Sequence, residues 1–313
     1  MEEILSKKHY RRSFYLLVFL ALTICIIFRF IVLPNYDKQF NIDWLNMSAS
    51  LLDSFVISMI ITVFIGSFVF WLKPEILKKS QLDIIHPIEI SPLLKKAAVD
   101  SRTWVFKGSC GRYTRATTLP MMTEAAKNEG IGRDVKITLI DPKNQLLCEE
   151  YANYRKSLKS SDGKSGWTVE KVQEEIIATI ITALKYRYRE PLMSIQIHLM
   201  DHFSAFRLDI SDKYVVITKE DKDASGLRAD SNTYFYDSYK DDVRLTERQS
   251  REVNYSNPFP NGKDLNEQEI RELIIGAEIV DENIIEHLKI DNILSGVNNP
   301  TDPYSSKIKF PWQ

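Results

Sequence analysis

The sequence predicts an α/β protein carried on two N-terminal transmembrane helices. Three observations predict it: two long apolar segments near the N-terminus, a strand–helix–strand succession behind them, and a charged remainder large enough to enclose a core. Residues 13–33 and 51–72 are each long enough to cross a ~30 Å hydrocarbon layer at about 1.5 Å of rise per residue. Charged residues make up 27% of the chain, and the two apolar segments hold almost none of them, so the remainder is strongly charged. That remainder, about 230 residues, suffices for one sizeable domain or for a domain with a small appendage. A net charge of −1 gives no bulk reason to expect nucleic-acid binding, although a neutral total can hide a local basic patch.

The expected order is a basic N-terminus (1–12), a first span (13–33), a short external loop (34–50), a second span (51–72) and a connector (73–98). An α/β domain (99–253), a helical appendage (254–295) and an extended or disordered tail (296–313) follow. Lys7, Lys8, Arg11 and Arg12 precede the first span, and Lys73, Lys78 and Lys79 follow the second, whereas the loop holds only Lys38. Basic residues stay on the cytoplasmic side, so both termini are expected in the cytoplasm of a multi-pass membrane protein. The first segment is too long for a signal peptide, lacks a small-residue cleavage site and is followed at once by another span. Cys25 falls in a span, and Cys110 and Cys148 show no metal-ligand spacing, which argues against a disulfide framework.

Each span carries one charge at similar depth: Arg29 in the first and Asp53 in the second. An ionisable group inside a span costs roughly 2.5–3.5 kcal/mol, so an opposite-charge pair is a functional candidate. The alternative is that both side chains snorkel to the nearby interface and pair for structural reasons. Ser50, Ser54, Ser58, Thr62 and Gly66 recur every four residues in the second span, and Ala21, Cys25 and Arg29 do so in the first. Small residues let helix backbones approach in lipid. Two readings stay open: the stripe seals one hairpin, or several hairpins assemble a homo-oligomer whose Ser54, Ser58 and Thr62 line a water-filled path.

Behind the spans, 103–107 (TWVFK) reads as a strand, Pro120 in a first helical turn starts a helix that ends near Gly130, and 135–140 (VKITLI) is a second strand. This βαβ unit argues for a parallel or mixed sheet. A helix carrying Leu146, Leu147 and Tyr151 comes next, then a Ser- and Gly-rich loop. Residues 168–188 form a long helix with the broad apolar stripe of a core-facing element. Residues 193–199 alternate as a strand, 207–210 and 214–218 form a hairpin, and 219–229 reads as a charged loop. Residues 234–253 read as helix, and 265–288 as one or two short helices.

The pieces TWVFKGSCGRYTR, VKITLIDP, the long helix and AFRLDISDKYVVIT, in that order, resemble the phospholipase D-like fold. That family carries His-x-Lys-x(4)-Asp, whose His is a phosphate nucleophile and whose Lys clamps the anion. With Asp212 as the Asp, the Lys position falls on Arg207 and the His position on Ala205. The resemblance therefore implies a catalytically degenerate scaffold, and His202 is read as an ordinary loop histidine. The chain is expected to have no catalytic residues and no cofactor.

A phosphate-binding tendency remains. The loop 107–115 follows the first strand at the carboxyl edge of the sheet, where open α/β sheets bind ligands. Lys107, Ser109, Arg112 and Arg115 there, with Arg207, are candidate phosphate or nucleic-acid contacts, beside small residues and a following helix N-terminus. The competing reading is a solvated loop whose arginines pair with neighbouring acids. The loop lacks the Gly-Lys-Ser/Thr ending of a Walker motif and the GxGxxG dinucleotide pattern, and no Ser/His/Asp set or zinc-type cluster occurs in the sequence.

A cytoplasmic α/β domain without catalytic residues on a two-helix hairpin resembles the two-transmembrane effectors of bacterial retron anti-phage systems. That resemblance implies a toxin held inactive by a reverse transcriptase with its RNA–DNA hybrid. Release would permeabilise the lipid bilayer of the inner membrane and abort infection. Effectors gated by a cyclic oligonucleotide share the layout; there the loop 107–115 would bind the messenger. A membrane-anchored phosphodiesterase of the phospholipase D class is the third reading.

Overall fold

The computed structural model describes residues 8–32, 44–72, 79–158, 166–262 and 264–304. The chain separates into two compact units, residues 1–78 and 79–313.

The first unit is a helical hairpin. Helix α1 (Lys8–Ile27) continues into a wider π-helical turn, Phe28–Val32, and α2 spans Trp44–Leu72. Both contain a stretch long and apolar enough to cross a membrane, Phe14–Val32 and Ala49–Phe68. Partly covered positions recur at three- and four-residue steps: Phe14, Val18, Ala21, Cys25 and Arg29 on the first helix, and Ala49, Leu52, Val56, Met59, Val63 and Gly66 on the second. This is the spacing of a helix–helix seam. Arg29 joins it as expected from its place beside Ala21 and Cys25. The serine stripe does not: Ser54, Ser58 and Thr62 are exposed on the side of α2 turned away from the seam. The sealing of one hairpin through Ser54, Ser58 and Thr62 is thereby corrected. Four-residue spacing drifts round a helix relative to the alternating three and four of a seam, so the stripe meets the seam at Gly66 and leaves it at Ser54, Ser58 and Thr62.

The second unit is built on an eight-stranded mixed sheet. Strand β1 (Asp83–Ile85) precedes helix α3 (Pro87–Asp100); β2 (Thr103–Lys107), α4 (Leu119–Glu129) and β3 (Arg133–Ile140) form the βαβ unit. Helices α5 (Gln145–Ser157) and α6 (Val169–Arg189) lead to β4 (Met193–Met200). The hairpin β5 (Phe206–Ser211) and β6 (Tyr214–Lys219) is extended by β7 (Gly226–Asp230); α7 (Tyr234–Gln249), β8 (Arg251–Glu252), α8 (Glu267–Gly276), α9 (Glu282–Ile285) and α10 (Ile290–Asn298) complete the unit. Strand order is β1-β7-β6-β5-β2-β3-β4-β8, with β2, β3 and β4 parallel and the remaining pairs antiparallel.

Four expectations change. The connector is part of the folded unit: β1 pairs with β7, and α3 buries Ile90, Leu94, Ala97 and Ala98. The charged loop 219–229 contributes to a strand, β7, because Leu227 and Ala229 pair with Ile217 and Val215, while Arg228 lies over the Tyr214 ring at 4.5 Å. The helical appendage 254–295 shares the main apolar cluster with the sheet, through Ile270, Leu273, Ile274 and Ile293. The reason lies in α6, whose residues from Val172 to Leu184 are all buried, so it needs cover on both sides. The sheet covers one side and α8 and α10 the other. Helix α10 approaches closely at Gly296, where a Cβ would stand 3.1 Å from that of Ala178. Because α10 extends to Asn298, the tail is ordered helix at its start; residues 305–313 lie outside the described residues.

Candidate functional site

Strand β2 ends at Lys107, and the chain turns at once across the sheet edge. Gly108 donates to the Thr138 carbonyl at 3.0 Å, carrying the ladder one residue past the strand. A Cβ at Gly108 would fall 2.6 Å from the Phe106 ring. Gly111 is left-handed (φ +65°), and a Cβ there would meet Thr179 at 2.8 Å. The two glycines let the loop lie flat on α6, where the Thr179 hydroxyl donates to the Cys110 carbonyl at 2.7 Å. Residues Thr114–Thr118 then form a second π-helical turn that buries Arg115.

The five candidate ligand contacts separate. Arg112 and Arg207 line one cavity of about 230 Å³ at this edge of the sheet, together with Arg155, Lys219, Lys222 and Glu220. Arg115 is buried and donates to Glu175, at 2.9 Å to the carbonyl and 2.6 Å to Oε2. Lys107 turns to the opposite face of the sheet, where its ammonium donates to Asp242 and to Thr246, each at 2.8 Å. Ser109 is buried. Lys107 and Ser109 are therefore corrected from ligand contacts to structural residues. Alternation along β2 sends Lys107 away from Phe106, which faces the cavity. Arg115 pairs with an acid, Glu175, but inside the core and not in a solvated loop, because the π turn sets it against α6.

The cavity combines guanidinium groups with aromatic walls. Arg155 Nη1 donates to the Glu220 carbonyl at 2.7 Å and its guanidinium lies 4.7 Å from the Trp167 ring centroid. Arg112 approaches the same ring at 5.9 Å, with its Nε 3.7 Å from Glu175 Oε2. Trp167 thus has two guanidinium groups within cation–π distance of its ring. Arg207 donates from Nε to Asp209 Oδ2 at 2.9 Å and from Nη2 to the Tyr304 hydroxyl at 3.0 Å. A second cavity, about 440 Å³, shares Arg112 and Trp167 with the first and is also lined by Arg115, Lys171 and Thr301.

Charge balance in this region is set by burial. Burial works against ionisation of Glu175, but Arg115 and Arg112 outweigh it and hold the carboxyl below its ordinary range. Asp209 goes the other way: burial raises its pKa despite Arg207. Its Oδ1 has no hydrogen-bond partner among the described residues. Burial also pushes the Cys110 and Tyr113 groups up, so neither ionises readily here.

The residues aligned with the phospholipase D signature do not converge. Asp212 accepts from the Arg102 amide at 2.6 Å and from the Thr103 hydroxyl, clamping the start of β2. Arg207 stands at the other end of β5, about 17 Å away along an extended strand. His202 is exposed, with Nδ1 3.2 Å from Asp201 Oδ1. Arg155, Trp167 and Tyr304 complete the cavity without having been singled out in the sequence. The available hint was Trp167, an aromatic residue directly before the helix cap Thr168 in an otherwise polar loop.

No protein-family model matches the chain, and no curated protein matches it. Among solved structures, an archaeal chromatin protein, TrmBL2, described as showing a novel mode of DNA binding, is similar at a TM-score of 0.34 and 13% identity. The match covers 70% of this chain and 71% of that one. A likeness of that size assigns neither a fold nor a ligand.

Proposed function

We propose that the chain is a membrane effector of a bacterial anti-phage system, in which the α/β unit senses a small phosphate-bearing ligand of the nucleotide class and the hairpin acts on the inner membrane. The observation that carries this reading is the cavity at the carboxyl edge of β2, lined by Arg112, Arg155, Arg207, Lys219 and Lys222 and by one acid, Glu220, with the three arginines held by Glu175, Glu220 and Asp209. Guanidinium groups favour phosphate, and aromatic faces favour nucleobases. Size bears on the choice between the two defence readings. Cavities of about 230 and 440 Å³ that share Arg112 and Trp167 have the scale of a small-ligand site, whereas an RNA–DNA duplex held by a reverse transcriptase needs an open surface of roughly 1,000 Å². The degenerate phospholipase D-like scaffold remains part of the proposal, as a binding rather than a hydrolysing frame.

The test is titration calorimetry on the full chain in lipid nanodiscs with a panel of cyclic di- and trinucleotides and an RNA–DNA hybrid. Saturable binding of a cyclic oligonucleotide, lost in Arg112→Glu and in Arg155→Glu, is expected. Binding of the hybrid alone would replace this reading with the reverse-transcriptase one.

A further inference from the structure

The chain after α10 crosses both cavities. Thr301 lines the larger one, and Pro303 and Tyr304 line the smaller. Two anionic or acceptor groups of this strap occupy cations of the domain. Tyr304 places its hydroxyl on Arg207 at 3.0 Å, and Asp302 pairs with Lys95 at 3.4 Å. The Tyr304 ring stacks edge-on against Tyr113 at 5.3 Å, and the Arg207 guanidinium lies 5.7 Å from its centroid. Asp302 Oδ1 also accepts from the Tyr304 amide at 2.8 Å, holding the turn in shape.

Resting on the proposal that this cavity takes a phosphate-bearing ligand, we infer that the strap 299–304 is a built-in competitor of that ligand, with Tyr304 occupying the Arg207 Nη2 donor that a phosphate would take. A phosphate oxygen and a phenol oxygen accept from the same guanidinium edge, and an ionised acceptor makes the stronger bond. Ligand entry therefore exchanges a neutral acceptor for a charged one and frees the strap. The contacts that hold the strap include a hydrogen bond, an edge-on ring contact, a guanidinium–ring contact and a partly exposed ion pair. Such contacts are individually weak, and a competing anion can displace them. The domain then reports occupancy through release of residues 299–304.

The probe is inorganic tripolyphosphate, added to the full chain in nanodiscs, with affinity measured by calorimetry and strap release by hydrogen exchange. Tyr304→Ala removes the competitor and is expected to tighten binding about tenfold, the equivalent of about 1.4 kcal/mol. Tyr304→Phe keeps the ring on Tyr113 and removes only the acceptor; a smaller gain in the same direction is expected, and it covers the case in which the alanine variant misfolds. In the wild-type chain, exchange at 299–304 should rise on adding tripolyphosphate while the loop 107–115 becomes protected. Equal affinity in wild type and both variants, with binding still dependent on Arg112, overturns the strap alone. Absence of binding in all three overturns the phosphate pocket as well.

Discussion

Arg29 Nε donates to Asp53 Oδ1 at 3.0 Å, and fourteen residues away on each helix the Tyr15 and Ser67 hydroxyls meet at 2.8 Å. The two contacts fix one antiparallel register over about 21 Å of helix. Arg29 sits in the π-helical turn Phe28–Val32. The sequence placed the two charges at equal depth; the register shows why Asp53, and not its neighbour Ser54, turns inward.

The register predicts which cysteines cross-link. In a Cys25→Ser background, Val18→Cys with Val63→Cys should oxidise to a disulfide within one chain, because both positions lie in the seam. Adding Asp53→Ala should weaken the hairpin by only ~1 kcal/mol and leave the cross-link, since Arg29 can snorkel to the interface. Loss of the cross-link in the Asp53→Ala background would make the ion pair the main determinant of the hairpin.

The Arg115–Glu175 bridge should dominate stability at the site. Arg115→Ala leaves a carboxylate buried without its main partner, at a cost of about 3–5 kcal/mol, whereas Arg115→Met with Glu175→Leu should cost much less. Thermal unfolding measures both. The pH sign follows from the lowered pKa of Glu175. The unfolded chain binds its proton more readily, so the contribution is complete above the ordinary carboxylate pKa and lost as pH falls through the folded value. Glu175→Gln should flatten that part of the acid limb; an unchanged limb would count against the assignment.

We expect no phosphodiesterase activity. Covalent catalysis needs a nucleophile beside its activating groups, yet Ala205 stands at the aligned position and Asp212 is committed to β2. Hydrolysis of a phospholipid or nucleic-acid diester that disappears in His202→Ala would show the register to be shifted. Turnover that survives both His202→Ala and Arg207→Ala would place chemistry elsewhere.

Much of the fold was legible because it is written locally. The βαβ unit shows in TWVFK, Pro120, Gly130 and VKITLI, and Gly130 ends α4 in the left-handed conformation expected of a helix stop. Strand β7 was hidden because GLRAD has only Leu227 and Ala229 as apolar residues, and its pairing with β6 and β1 outweighs that weak pattern. The site was half legible for a similar reason. Arg112 and Arg207 lie in recognisable segments, whereas Arg155, Trp167 and Tyr304 arrive from three separate parts of the chain and meet only through tertiary packing.

Topology can be read with thiol reagents because the native cysteines of the α/β unit are silent. Cys110 and Cys148 are buried, and burial pushes the Cys148 thiol up to about 12. In intact cells, an impermeant maleimide should label a cysteine introduced at Asn41 and none at Ser6, both of which lie outside the described residues. Labelling at Ser6 and none at Asn41 would reverse the expected orientation.

The stripe on α2 now has a sharper test, because it faces away from its own hairpin. Ser54 Oγ donates to the Ser50 carbonyl at 2.9 Å and Thr62 Oγ1 to the Ser58 carbonyl at 2.8 Å, so these hydroxyls are satisfied within the helix and leave a smooth surface. Replacing Ser54, Ser58 and Thr62 with Leu would therefore leave the Val18–Val63 cross-link intact while blocking close approach of a second hairpin. If copies meet through this face to damage the membrane, the triple variant inserts normally but loses dye uptake and depolarisation. Ser58→Cys alone, in the Cys25→Ser background, should then trap disulfide-linked dimers. A triple variant that still depolarises cells would reduce the hairpin to an anchor and transfer the toxic function to the α/β unit.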